Sequence, residues 1–237
     1  MQQHTTQKPL LGSDNNALVA LLAIHLVSYA LLGFLKVIYF LDSTPIEQFY
    51  KNVFHLFTLP TSGMTWLRQP WSLFTYNWIH DGFWSLFTNM IWLSVFGYVL
   101  QNKQFNQHLF PIYFYSGLIS GLSFLLFSLS SDIAFPLMGA NMTVTAIVLA
   151  ATLLTPQYKF LPHIGKGIPL WIISLLYLII QIASLTQYQL ANTIVTIIAG
   201  LVGTVYVLLL KKGTDLGKWM HNLLHWLNKS AAPKTNG

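Results

Sequence analysis

Between Trp71 and Leu100 the chain places His80, Asp81, Ser85, Thr88 and Asn89 inside an apolar run. The run is long enough to cross a bilayer, for which about 20 residues at about 1.5 Å rise suffice. These side-chain types can do chemistry together. An imidazole takes up protons, a hydroxyl attacks a carbonyl once a base removes its proton, and carboxamides stabilise developing negative charge. Spacing limits the combinations. Ser85 and Asn89 are four residues apart and share one helix face. His80 lies five residues before Ser85, about 140° round the axis, so the two cannot form a dyad on one helix. A polar face on a membrane helix must look toward protein or water, because lipid offers it no partner. Hydrogen bonding between packed helices alone explains any one of these residues. It explains the whole pattern less well.

The pattern is similar to a known one. His80, Asn89, Met90 and the Phe96-Gly97 pair, preceded by Pro70-Trp71-Ser72-Leu73-Phe74-Thr75, fall in register with the second transmembrane helix of rhomboid intramembrane serine proteases. Ser85 stands where that helix carries its middle His. The resemblance implies an all-α six-helix membrane bundle over about Trp71 to Lys212. It also implies a Ser nucleophile in a G-x-S-G turn opening the fourth helix, and a His on the sixth. Here the turn reads Gly139-Ala140-Asn141-Met142, so Asn141 occupies the nucleophile's place. An amide nitrogen is no nucleophile, because its lone pair is delocalised. On the sixth helix, aligning Gly200 puts Ile197 at the His position, and aligning Gly203 puts Thr196 there. No His occurs from Ile164 to Met220 in any case. Asn89 matches an oxyanion-stabilising Asn of the family, but without a nucleophile it has no tetrahedral intermediate to stabilise. His80 matches a structural His that anchors the preceding loop. No catalytic residue, cofactor or metal is therefore expected.

The elements that must position these residues follow from composition. Of 237 residues, 54% are hydrophobic and 8% charged, far below the roughly 25% charged content of soluble domains, so the chain is a polytopic membrane protein. There is no Cys, which excludes disulfides and thiolate chemistry. The net charge of +6 does not mark a nucleic-acid binder, because the lysines lie in loops and the tail. Spans are expected at 17–41, 78–100, 109–129, 136–154, 168–185 and 192–210. A polar tail (1–16) precedes this membrane domain (17–210) and a basic tail (211–237) follows it. Lys36 sits near the end of the first span, where it can snorkel. The loop from Asp42 to Pro70 is too aromatic for a solvated linker and is expected in the interface as short amphipathic helices. Residues 155–167 read as a loop. Gly117 and Gly121 form a small-residue stripe that lets helices approach. Leu216, Trp219, Met220, Leu223 and Leu227 recur on one face of an interfacial helix, with Lys218, His221, Asn222, His225 and Lys229 opposite. His221 and His225 are four apart but lack a third ligand, so the metal reading is set aside.

With six spans, Lys8, Lys103, Lys159, Lys166, Lys211, Lys212, Lys218, Lys229 and Lys234 fall on one side of the membrane. Only Lys51 and Arg68 fall on the other, so both termini are expected in the cytoplasm. A compact layout without disulfides fits a bacterial inner membrane. The expected function is that of an inactive rhomboid-like protein. It would bind or regulate transmembrane segments of other proteins, or pair with an active relative. The alternatives are a rhomboid protease with an unconventional site and a small-solute carrier. Against the carrier, no Asp or Glu lies near the midplane and the halves show no repeat.

Overall fold

The computed structural model describes residues 17–102, 105–129, 133, 135–160, 167–183 and 190–223. Its frame is six helices: α1 (Ala17–Leu41), α2 (Phe83–Asn102), α3 (Asn106–Ser128), α4 (Asn141–Leu154), α5 (Leu170–Ala183) and α6 (Leu190–Lys211). α1, α2, α3 and α6 are long and apolar enough to cross a membrane, whereas α4 and α5 have 14 residues each. At about 1.5 Å per residue, 14 residues reach roughly 21 Å, short of a hydrocarbon core of about 30 Å. α4 is nevertheless buried on every side through its first turns, with Met142 to Val148 buried without a break. It packs against α2, α3 and α6 and so meets protein where an isolated span would meet lipid.

Two expected boundaries move. The second span starts at Phe83, not Trp78, because Tyr76–Trp78 is a 3-10 turn and Ile79 is extended. The fourth starts at Asn141, not Pro136, after Gly139 at φ +91°, a left-handed conformation that glycine adopts without a Cβ penalty. The stretch 155–167, read as a loop, carries a two-residue strand β1 (Lys159–Phe160), which pairs antiparallel with β2 (Ile168–Pro169). Of the C-terminal interfacial helix, residues 218–223 are helical, with Met220 buried and Trp219 and Leu223 half exposed. Leu227, His225, Lys229 and the N-terminal tail lie outside the described residues.

The loop after α1 does form short helical turns, at Ile46–Phe49, Tyr50–Phe54, His55–Phe57 and Gly63–Arg68. Phe49 and Phe54 bury themselves with Leu32 of α1 and Ile79. Lys36 donates to the Tyr50 hydroxyl at 3.4 Å and lies 5.4 Å from the ring centre. The continuation, Ser72–Thr75 and Tyr76–Trp78, is a strap laid across α3. The Tyr76 hydroxyl donates to the Gly117 carbonyl at 2.7 Å, and Thr75 donates to the Phe57 carbonyl at 2.8 Å.

This strap corrects the reading of the glycine stripe. A Cβ on Gly117 would lie 2.6 Å from Asn77 Nδ2, and one on Gly121 would lie 2.7 Å from Leu73 Cδ1. The stripe makes room for the strap, and only Thr143 of α4 reaches its edge. Close helix approach occurs instead between α4 and α6. There a Cβ on Gly203 would collide with the backbone of Ala146, while one on Gly200 would meet only the end of Leu149 at 2.8 Å.

Candidate functional site

Asn89 is 4% exposed on the inner face of α2. Its Nδ2 donates to the Ser85 carbonyl at 2.8 Å and to Asn141 Oδ1 at 2.8 Å. The amide orientations follow from chemistry. A backbone carbonyl only accepts, so nitrogen must face it, and the same nitrogen then requires an oxygen from Asn141. Asn141 in turn is held by its loop. Leu59 and Leu137 exchange two backbone hydrogen bonds of 2.9 Å, and Gly139 N–H donates to the Tyr76 carbonyl at 2.9 Å. The strap thus sets where α4 begins and where Asn141 points.

From Asn141 a network of uncharged groups runs into α5. Thr145 donates to the Asn141 carbonyl at 2.7 Å and shares a 2.7 Å hydrogen bond with the Tyr177 hydroxyl. Gln181 Nε2 donates to that hydroxyl at 2.8 Å. The Tyr177 ring stands edge-on to Trp92 of α2, with centroids 5.1 Å apart. Beside this network lies a cavity of about 360 Å³ between α4, α5 and α6. Its polar lining is Asn141, Thr145, Gln181, Asn192, Thr193 and Thr196, with Ile197 and Gly200 completing the α6 wall. None of the lining side chains titrates, so among them there is no general base for an attacking hydroxyl.

The structure therefore brings Asn89, Asn141, Thr196, Ile197 and Gly200 to one region. Ser85 contributes its carbonyl, and its hydroxyl bonds to nothing among the described residues. Thr196 donates to the Asn192 carbonyl at 2.7 Å, and Ile197 is 59% exposed toward the cavity. Met142 is packed into the core with Leu59, Tyr76, Val195 and Ala199. His80 stands away from the cavity, at the strap's end. Its Nδ1–H donates to the Trp78 carbonyl at 3.3 Å, and its ring lies 5.3 Å from that of His25 in α1. Burial outweighs the raising effects of that bond and of Asp81, and it holds the imidazole down at about 4, hence neutral. Asp81 is exposed.

Sequence reasoning saw His25 interrupt the first span but gave it no role; it is fully buried and bonds the Tyr113 hydroxyl at 2.9 Å. Sequence reasoning missed Tyr177 and Gln181. Their four-residue spacing on a helix otherwise aliphatic apart from Trp171 and Ser174 was the available signal.

A short buried helix behind a strap, a polar seam at its first residue and four helices long and apolar enough to cross a membrane define the class: a polytopic helical membrane protein. The family comparison is consistent with that. The Rhomboid domain matches residues 67–214, well over half of the 237 residues, and the chain belongs to the rhomboid family. A comparison with curated proteins finds no match.

Proposed function

We propose that this rhomboid-family protein performs no serine-type peptide hydrolysis and instead binds transmembrane segments of other membrane proteins, an active relative among them. One observation carries the reading: Asn141, at the family's nucleophile position, spends its Oδ1 on a hydrogen bond to Asn89 at the mouth of a cavity that has no titratable side chain among its described lining residues. The carboxamide cannot attack a carbonyl, and Thr196 and Ile197 supply no base. The cavity can still receive a helix. Asn141 Nδ2 has no partner among the described residues, and an unpaired donor at membrane depth gains from meeting a polar group of a client. The lysine distribution supports cytoplasmic termini, and the compact layout without disulfides supports a bacterial inner membrane.

The test has two arms. The purified protein in liposomes is expected neither to cleave a general rhomboid substrate nor to react with a fluorophosphonate. A photo-crosslinker at Ile197 is expected to capture transmembrane segments. Specific labelling that one substitution abolishes would overturn the non-catalytic reading. Crosslinking only to lipid would overturn the client reading.

A further inference from the structure

On the far side of the molecule, the chain leaving α6 folds back against α3 around a carboxylate. Asp215 Oδ1 accepts the Gly217 N–H at 2.8 Å and lies 3.5 Å from the Tyr206 hydroxyl and 3.7 Å from His108 Nδ1. Asp215 Oδ2 lies 3.7 Å from His221 Nδ1. His221 Nε2 meets the Gln107 carbonyl at 2.7 Å. Because a carbonyl only accepts, Nε2 carries the hydrogen. In a neutral ring Nδ1 is then a bare lone pair facing a carboxylate oxygen, acceptor against acceptor. One proton on Nδ1 turns that repulsion into a charge-assisted attraction.

We propose that His221 and Asp215 form a proton-operated latch that fastens segment 216–223 onto α3 and α6. Proton uptake by the docked form closes it, so docking strengthens as pH falls and weakens as pH rises. The groups facing His221 are His108 from α3 and Asp215 from the turn, with Tyr206 of α6 behind Asp215. Lys218 shares its helical turn, and Lys211 is directed to the Leu153 carbonyl at 2.8 Å. His108 is 4% exposed and its ring lies 5.8 Å from that of His221. Its Nδ1–H donates to the Tyr206 hydroxyl at 3.0 Å and its Nε2 accepts from Gln107 Nε2 at 3.3 Å, so both nitrogens are engaged in the neutral ring and His108 takes no part in the proton uptake. The segment thus fastened also joins Trp219 Nε1 to the Tyr115 hydroxyl at 2.6 Å. Met220 and Leu223 wall an apolar groove of about 400 Å³ with Phe74, Trp78 and Phe114. An open latch would unwall that groove.

The absence of Cys makes the test direct, since Met220→Cys introduces the chain's sole thiol at a buried position. Its maleimide reactivity is divided by that of an Asn222→Cys reference to remove the thiol's own pH dependence. Between pH 8 and 5.5 the ratio is expected to fall several-fold in the full chain. Adding His221→Gln or Asp215→Asn is expected to flatten the response. Hydrogen exchange of residues 218–223 in the unmodified chain, corrected for intrinsic rates, decides the matter if the Met220→Cys segment is undocked at every pH. A flat profile without the latch substitutions, or an unchanged slope in both variants, overturns the latch.

Discussion

Asn141 ties two helices together at the position where the family resemblance implies a nucleophile. Its Oδ1 takes one hydrogen of Asn89, whose other hydrogen remains with the Ser85 carbonyl. Truncation therefore removes one interhelical hydrogen bond and leaves a buried donor half satisfied. Such bonds in membranes contribute roughly 0.6 kcal/mol each, reaching about 1.7. Asn141→Ala is expected to destabilise the bundle by about 1 kcal/mol on that scale, read as a lowered melting temperature in detergent. An unchanged melting temperature combined with lost client crosslinking would make Asn141 a recognition residue alone. Asn141→Ser is expected to be similarly mild and to restore no cleavage. Its hydroxyl is too short to replace the bond to Asn89, and it would still face Thr196 and Ile197 with no imidazole.

Among elements, the contact of α4 with α6 is the tightest. Gly203 lies against the Ala146 backbone, which cannot rotate away, whereas Gly200 lies against the tip of the Leu149 side chain, which can. Overpacking typically costs about 1–3 kcal/mol. Gly203→Ala is expected within that range, and Gly200→Ala well below it. Paired thermal melts check the order, and equal losses would show that the α4–α6 spacing is not set at Gly203. The strap is the second decisive element. It fills the Gly117–Gly121 stripe and pins the turn before Asn141, so a residue far from the cavity in sequence, Tyr76, helps aim the site.

For the whole molecule the question is how α4 and α5, with 14 residues each, are accommodated beside four helices long enough to cross a membrane. α4 is sheathed by its neighbours and needs no hydrophobic match to lipid. α5 exposes Trp171, Leu175, Leu176 and Ile179 outward. Under the six-span expectation the basic residues divide nine to two, and the positive-inside rule then assigns both tails to the cytoplasmic side. A reporter fused after Gly237 is expected in the cytoplasm and one inserted at Gly63 outside. Finding both on one face would mean that the chain does not cross as six spans.

The amino-acid sequence by itself determined what depends on composition and local pattern. An uninterrupted apolar run must be buried in lipid or protein, so the membrane class and the bounds of α1 were legible from hydropathy alone. The motif around His80 and Asn89, with the Gly139–Met142 turn, carried the family, because residue type at fixed spacing survives without coordinates. The tertiary structure decided where polar atoms meet. That Asn89 pairs with Asn141, that Tyr177 and Gln181 extend the seam, that the glycine stripe seats a strap and that His221 returns to Asp215 are all contacts between segments distant in sequence. Their geometry is set by packing across the bundle, and periodicity within a single helix cannot encode it.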